Sequence, residues 1–298
     1  MKKTAVISDV HSNLTALDAV LGDIEHEGVE QTVFLGDAVG YGPDPNECID
    51  RLMGIDGLIW VPGNHDHAVA VKLPNTFNAV PEMIIYWTKH QLAEEPGKEQ
   101  ARIKFLGEEK TSRIHDDYYL VHGSPRNELN EYVEPKDFGS QLPDKLQECL
   151  DFIVSLECHT CIVGHSHKQF LIEDSPTLVV PTQWPYSYEH IDKGAILFNC
   201  GAVGQQRDGD PRAGYAVVDE STITFHRVEY DVEAEARKIG ESGLDEWVGN
   251  HHPDLLEDAK KFFKAYSSYK KGQVPDHIKA GMEGRIQDYL IGRLRTGT

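Results

Sequence analysis

Short apolar runs alternate with amphipathic segments over the first sixty residues. Residues 2–8 (K-K-T-A-V-I-S) read as a buried strand. Behind it, Ser12 or Asn13 can cap a helix in which Leu14, Leu17, Leu21 and Ile24 recur at helical spacing and Gly28 supplies the stop. Residues 32–35 (T-V-F-L) predict a second strand, residues 46–53 a second helix, and residues 58–61 (L-I-W-V) a third strand. This β-α-β-α-β order predicts a mainly parallel sheet covered by helices on both faces.

The pattern then loosens. Residues 67–110 form a candidate insertion or lid, with one helix expected over 81–95 from Ile84, Ile85, Trp87 and Leu92. Residues 113–121 read as a hairpin with Asp116-Asp117 in its turn, and a polar loop spans 124–143. A helix over 144–156 leads into T-C-I-V-G-H-S-H-K-Q at 160–169. Short apolar runs at 170–172, 177–180, 195–198, 214–218 and 222–227 predict a second, more antiparallel sheet. Polar, helix-like sequence follows from Val232. These boundaries divide the chain into a domain over 1–230 and a helical extension over 231–298, packed on the domain or in a dimer contact.

Composition changes this picture little. The 298 residues, 40% hydrophobic and 26% charged, suffice for a full core. No apolar run approaches the ~20 residues a membrane span needs. The apolar stretch Ala5-Val6-Ile7 is broken at once by Ser8-Asp9, which argues against a signal peptide. Five scattered cysteines predict free thiols in a reducing, cytoplasmic compartment, with Cys158 and Cys161 buried rather than redox-active. Net charge matters more. At −20 it disfavours long nucleic acid as a partner but admits a small phosphorylated substrate where bound cations reverse the local sign. A homo-oligomer is one candidate assembly.

The candidate chemistry gathers at strand ends. In extended backbone, residues i and i+2 point to one side, so the imidazoles of Gly164-His165-Ser166-His167 are expected to face one cavity and suit one divalent ion or two neighbouring ones. Four further segments follow the same plan: Asp9-x-His11, Gly36-Asp37, Gly63-Asn64-His65-Asp66 and His122-Gly123. Sites in open α/β folds gather at such C-terminal strand ends.

The set D-x-H, G-D, G-N-H-D, H and G-H-x-H resembles the calcineurin-like metallophosphoesterase superfamily over about residues 3–227. The stretch 199–213 (N-C-G-A-V-G-Q-Q-R-D-G-D-P-R-A) is similar to a segment of its bacterial small-phosphoesterase branch, departing at Cys200, Ala202 and Gln206. The resemblance implies an α/β fold, a four-layer α/β/β/α sandwich of two mixed sheets flanked by helices. It implies two divalent transition-metal ions, drawn from manganese, iron, zinc, nickel or cobalt. Asp9, His11, Asp37 and His167 would bind the first ion, and Asp37 would bridge to a second held by Asn64, His122 and His165. His65 would be the catalytic residue beside the phosphate, with Asn64 and His65 as substrate contacts.

The implied activity is hydrolysis of small phosphate monoesters, diesters or dinucleoside polyphosphates by a metal-bridging hydroxide, with His65 acting on the leaving oxygen. A phosphoprotein phosphatase and a non-catalytic scaffold of the same fold are the alternatives. Arg207 and Arg212 are candidates for phosphate contact or for pairing with Asp208 or Asp210. Tyr41 is a candidate site-lining residue or a packed loop tyrosine. Asp66 or another carboxylate is a candidate to orient His65.

Overall fold

A computed structural model describes residues 2–251 except 73–78, 109, 139–141, 175–176 and 191–193, together with positions 253, 256 and 260. The rest of the helical extension expected over 231–298, packed on the domain or in a dimer contact, lies outside the described residues.

The chain runs β1 (Thr4–Ile7), α1 (Leu14–His26), β2 (Gln31–Phe34), α2 (Pro45–Met53), β3 (Ile59–Trp60), α3 (Asn64–Ala70), α4 (Ala79–Ala93) and α5 (Pro96–Leu106). It continues through β4 (Ser112–His115), β5 (Tyr118–Val121), α6 (Asp144–Ser155), β6 (Thr160–Val163), β7 (Gln169–Glu173), β8 (Thr177–Val179) and β9 (Tyr186–Glu189). Then come β10 (Ile196–Cys200), β11 (Ala213–Asp219), β12 (Thr222–Val228), α7 (Val232–Glu241) and α8 (Leu244–His251).

The strands form two mixed six-stranded sheets, β3-β2-β1-β11-β12-β9 and β4-β5-β6-β10-β7-β8. Alternation along β1 shows how they stack. Ala5 and Ile7 face α1 and α2, in a core with Leu17, Val20, Ile49 and Leu52. Val6 faces the other way, into a core shared by the two sheets with Leu120, Ile162, Leu171 and Phe198. The outer face of the second sheet meets α6, where Tyr119, Cys161, Val163 and Leu197 pack against Leu146, Leu150 and Ile153. Three apolar layers separate four layers of secondary structure, the expected α/β/β/α sandwich. Strands buried on both faces explain why the sequence shows apolar runs rather than alternation.

The expected allocation of strands to sheets needs correcting. β11 and β12 join the first sheet, because β11 pairs antiparallel with β1. The hairpin β4–β5 belongs to the second sheet, through parallel pairing of β5 with β6. Pairing between strands over 200 residues apart in sequence leaves no local periodic signal. Within 67–110 the expected helix begins at Ala79 rather than Pro81, and α5 follows it. Arg102 of α5, 1% exposed, donates to Asp50 of α2 through both Nε (2.9 Å) and Nη2 (2.8 Å). All five cysteines are buried free thiols. Among the described residues, no helix is long and apolar enough to cross a membrane.

Candidate metal centre

β1 and β2 run parallel in one sheet, as do β5, β6 and β10 in the other. Their C-terminal ends open on one side of the molecule. The turns after β1, β2, β5 and β6 deliver Asp9 and His11, Asp37, His122, and His165 and His167 respectively. Asn64 and His65 arrive on the first turn of α3, directly after β3. The sequence reads this last segment only as a strand end; it is helical, and Asp66 Oδ2 accepts the Gly63 amide at 3.1 Å, satisfying a donor that the first turn leaves open.

These side chains converge and are buried, all of them 8% exposed or less. Three groups bring metal-type ligand atoms within 4.8 Å of one another: Asp9, His11 and His167; His11, Asp37 and His65; Asp37, His122 and His165. His11 Nε2 lies 3.2 Å from His167 Nε2, and His167 Nε2 lies 3.1 Å from Asp9 Oδ1. Around the other group, His122 Nε2 lies 3.2 Å from both Asn64 Oδ1 and His165 Nδ1. Asp37 Oδ2 stands between the two groups, 3.6 Å from His11 Nε2 and 3.4 Å from His122 Nε2.

The donor set fits divalent cations. Facing ligand atoms bonded to one ion at about 2.1 Å would stand about 3.0–3.4 Å apart; every separation just given falls in that range except Asp37 Oδ2 to His11 Nε2, at 3.6 Å. The tautomers fit as well. His11 Nδ1 pairs with Val39 O at 3.0 Å, His122 Nδ1 with Leu35 O at 2.7 Å, and His167 Nδ1 with Gln205 O. Each Nδ1–H is thereby given to a carbonyl, and the Nε2 lone pair faces the cluster, as in metal sites generally. His165 is reversed: Nδ1 faces the cluster, and the buried Nε2 makes no hydrogen bond among the described residues.

Charge states agree with this. Burial lowers the pKa of His11, of His165 (helped by His122) and of His167 (helped by Arg207), keeping them neutral. Burial opposes ionisation of Asp9 and Asp37, but His167 and His122 respectively hold both carboxyls below their ordinary range. Burial also works against a charged His122, yet Asp37 pulls its pKa up to about 9. Burial, aided by Arg207 and opposed by Asp37, leaves His65 at about 4.

His165 and His167 reach one cavity by a different route from the extended backbone expected of them. Their backbones are not extended. Both are left-handed, at φ 62° and 60°, in a turn closed by the Ser166 amide on Gly164 O at 2.7 Å. Asn199 holds that turn through Nδ2 to Gly164 O (2.5 Å) and to Ser166 Oγ (3.0 Å). Asp66 anchors backbone, accepting from Gly63 and Val39; burial and Asp37 raise its pKa to about 7. Arg207 pairs with neither expected aspartate. It donates to Gln205 Oε1 through Nε and Nη2 (3.2 and 2.7 Å) and to Tyr132 Oη through Nη1 (3.3 Å). Arg212 instead pairs with Asp210, and Asp208 with Arg227. Tyr132, from a loop without a readable motif, stacks on His165 at 3.9 Å between centroids and is the site residue that sequence reading missed.

A sequence model of the calcineurin-like phosphoesterase superfamily domain matches residues 2–222. An uncharacterized protein of Methanocaldococcus jannaschii is 36% identical over 251 residues, covering 82% of this chain and 95% of its own. The crystal structure of a metallophosphoesterase from Sphaerobacter thermophilus superposes with a TM-score of 0.67 at 35% identity, covering 81% of this chain and 94% of the other. A hypothetical protein from Pyrococcus horikoshii shares the fold, with a TM-score of 0.63 at 19% identity over 82% of this chain and 94% of the other.

Proposed function

This chain belongs to the calcineurin-like phosphoesterase superfamily, and we propose that it hydrolyses a small phosphate ester at a two-metal centre. The observation that carries this reading is Asp37, whose one oxygen lies within 3.6 Å of histidine nitrogens from two separate ligand groups. In this reading Asp9, His11, Asp37 and His167 hold one ion, and Asp37, Asn64, His122 and His165 hold the other. Geometry alone also admits His65 as a ligand with His11 and Asp37. Its place is instead assigned to the substrate, because the other seven residues already supply four donors to each ion. Bound there, the pair of cations neutralises phosphate charge and supplies an activated water near neutral pH.

The protein's own groups do the rest. His65 is neutral at pH 7 and offers an N–H where charge develops on the leaving oxygen. Its backbone N–H donates to Asp37 Oδ1 at 2.9 Å, which fixes the start of α3 against the bridging carboxylate. Arg207, kept charged beside Tyr132 and Tyr41, supplies a fixed cation for a non-bridging phosphate oxygen. The depth of the ligands and a net charge of −20 favour a small ester over a polyanionic chain.

The test is hydrolysis of bis(p-nitrophenyl) phosphate, p-nitrophenyl phosphate and a phosphopeptide by protein stripped with a chelator and reloaded with Mn²⁺. Activity on the small esters that disappears on stripping and returns on reloading supports the reading. Exclusive activity on the phosphopeptide, or metal-independent activity, overturns it.

A further inference from the structure

The loop between Asp37 and α2 carries Tyr41 in a left-handed conformation, φ 61°. Its ring centroid lies 4.9 Å from those of both His11 and His65, and the charge of Arg207 acts on its buried hydroxyl. Tyr41 also belongs to an apolar cluster with Met83, Ile84 and Trp87 of α4, Ile239 of α7, and Leu244 and Val248 of α8. The same loop is tied to α7 by charge. Lys238 Nζ stands 2.7 Å from Asp44 Oδ2 and 3.1 Å from Thr15 Oγ1. The loop is laced in turn to the metal-ligand turn after β1, since the Gly42 amide donates to His11 O and the Asp44 amide to Ser12 O, both at 3.0 Å. Helices α7 and α8 lie beyond residue 222, where the match to the family domain ends.

We propose that α7 and α8 complete the site from outside the family domain by holding Tyr41 as a positioning residue for His65 and Arg207. A left-handed tyrosine is disfavoured by its own backbone, so something must hold it. Here one part of the side chain meets the two histidines and the charge of Arg207, and the rest meets an apolar wall that the C-terminal helices close. Removing a wall residue frees the ring, and the two groups read as facing the substrate lose their common support. Ligand residues keep their own backbone anchors, so metal binding stays. The inference rests on the proposed roles of His65 and Arg207.

The test uses the full chain with Leu244→Ala, Lys238→Met, Lys238→Arg, Tyr41→Ala and the double variant Leu244→Ala/Tyr41→Ala. Lys238 is half-buried and outside the apolar cluster, so its variants keep the test open if Leu244→Ala does not fold. The expected result is roughly a 10-fold fall in kcat for Leu244→Ala, Lys238→Met and Tyr41→Ala, in line with small misplacements of catalytic groups. KM and bound metal should stay near wild type, and Lys238→Arg should restore kcat. The double variant should fall no further than Tyr41→Ala, because the two changes break one connection. Amide hydrogen exchange in the peptide covering 40–45 should speed up in Leu244→Ala and Lys238→Met. Active wild type with unchanged kcat and unchanged loop exchange in those variants overturns the inference and leaves the phosphoesterase reading standing, and so does an additive double variant. An inactive metal-loaded wild type overturns the phosphoesterase reading instead; the exchange rates still decide whether α7 and α8 hold the loop.

Discussion

Asp9, His11, Asp37, His165 and His167 share one backbone property: φ between 49° and 62°, the left-handed region that side chains avoid. Each such residue costs on the order of 1–3 kcal/mol and persists where its surroundings over-determine it. The surroundings do so here, through the amides of Asp9 and His11 on Gly36 O and Asp37 O (3.0 and 2.9 Å) and that of His165 on Asp9 Oδ2 (3.1 Å). Gly63 shows how tight the fit is. A Cβ there would stand 2.0 Å from Asp37 Oδ1. Gly63→Ala is therefore expected to displace Asp37 and weaken metal binding by at least tenfold at both positions, measured by isothermal titration of the stripped protein; wild-type affinity would show that the backbone can yield. His65→Ala is expected to lower kcat by ~10²-fold while leaving bound metal unchanged, and steady-state kinetics alongside metal analysis separates the two effects.

Among the elements, the short strands and the helices α1, α2 and α6 were legible because each carries its own periodicity or apolar run. The start of α3 was not, since Gly63-Asn64-His65-Asp66 has no apolar period and its cap is a single carboxylate-to-amide bond. β9 was missed although Y-S-Y-E alternates; with both tyrosines only partly buried, the run lacks apolar weight. The residues that converge at the rim were legible because most of them follow closely on a strand. Tyr132 and the Asn199 brace were not, as their roles depend on contacts between segments distant in sequence. The α2–α5 contact gives a prediction at this scale. Hydrogen bonds from Arg102 lower the Asp50 pKa from its ordinary 3.8 to about 2. A depressed carboxyl contributes stability fully above its unfolded value and loses it as pH falls through the folded one. Thermal unfolding should show Asp50→Asn costing stability at pH 7 and costing progressively less between about pH 4 and pH 2; a pH-independent difference would mean that the ion pair contributes nothing. The partial exposure of Asp50 keeps the expected effect modest.

At the scale of the whole molecule, two sheets packed face to face bring the ends of β1, β2 and β3 from one sheet and of β5 and β6 from the other to one rim. Asp9 and Asp37 come from the first sheet, and His122, His165 and His167 from the second, so neither sheet alone builds a complete site. This division predicts that metal and folding are linked: cations bound by both sheets should stabilise the fold by mass action. Chelation should lower the melting temperature and Mn²⁺ should restore it, with a dose dependence that tracks occupancy.

Two ions joined by Asp37 in one centre, as proposed, should be both countable and magnetically coupled. The most direct measurement is Mn²⁺ titration of stripped protein, read by metal analysis for stoichiometry and by electron paramagnetic resonance for coupling between ions. The expected result is two Mn²⁺ per chain with an exchange-coupled signal, and loss of that coupling in Asp37→Asn. Saturation at one Mn²⁺ per chain, or two ions with no coupling in the wild type, would contradict it.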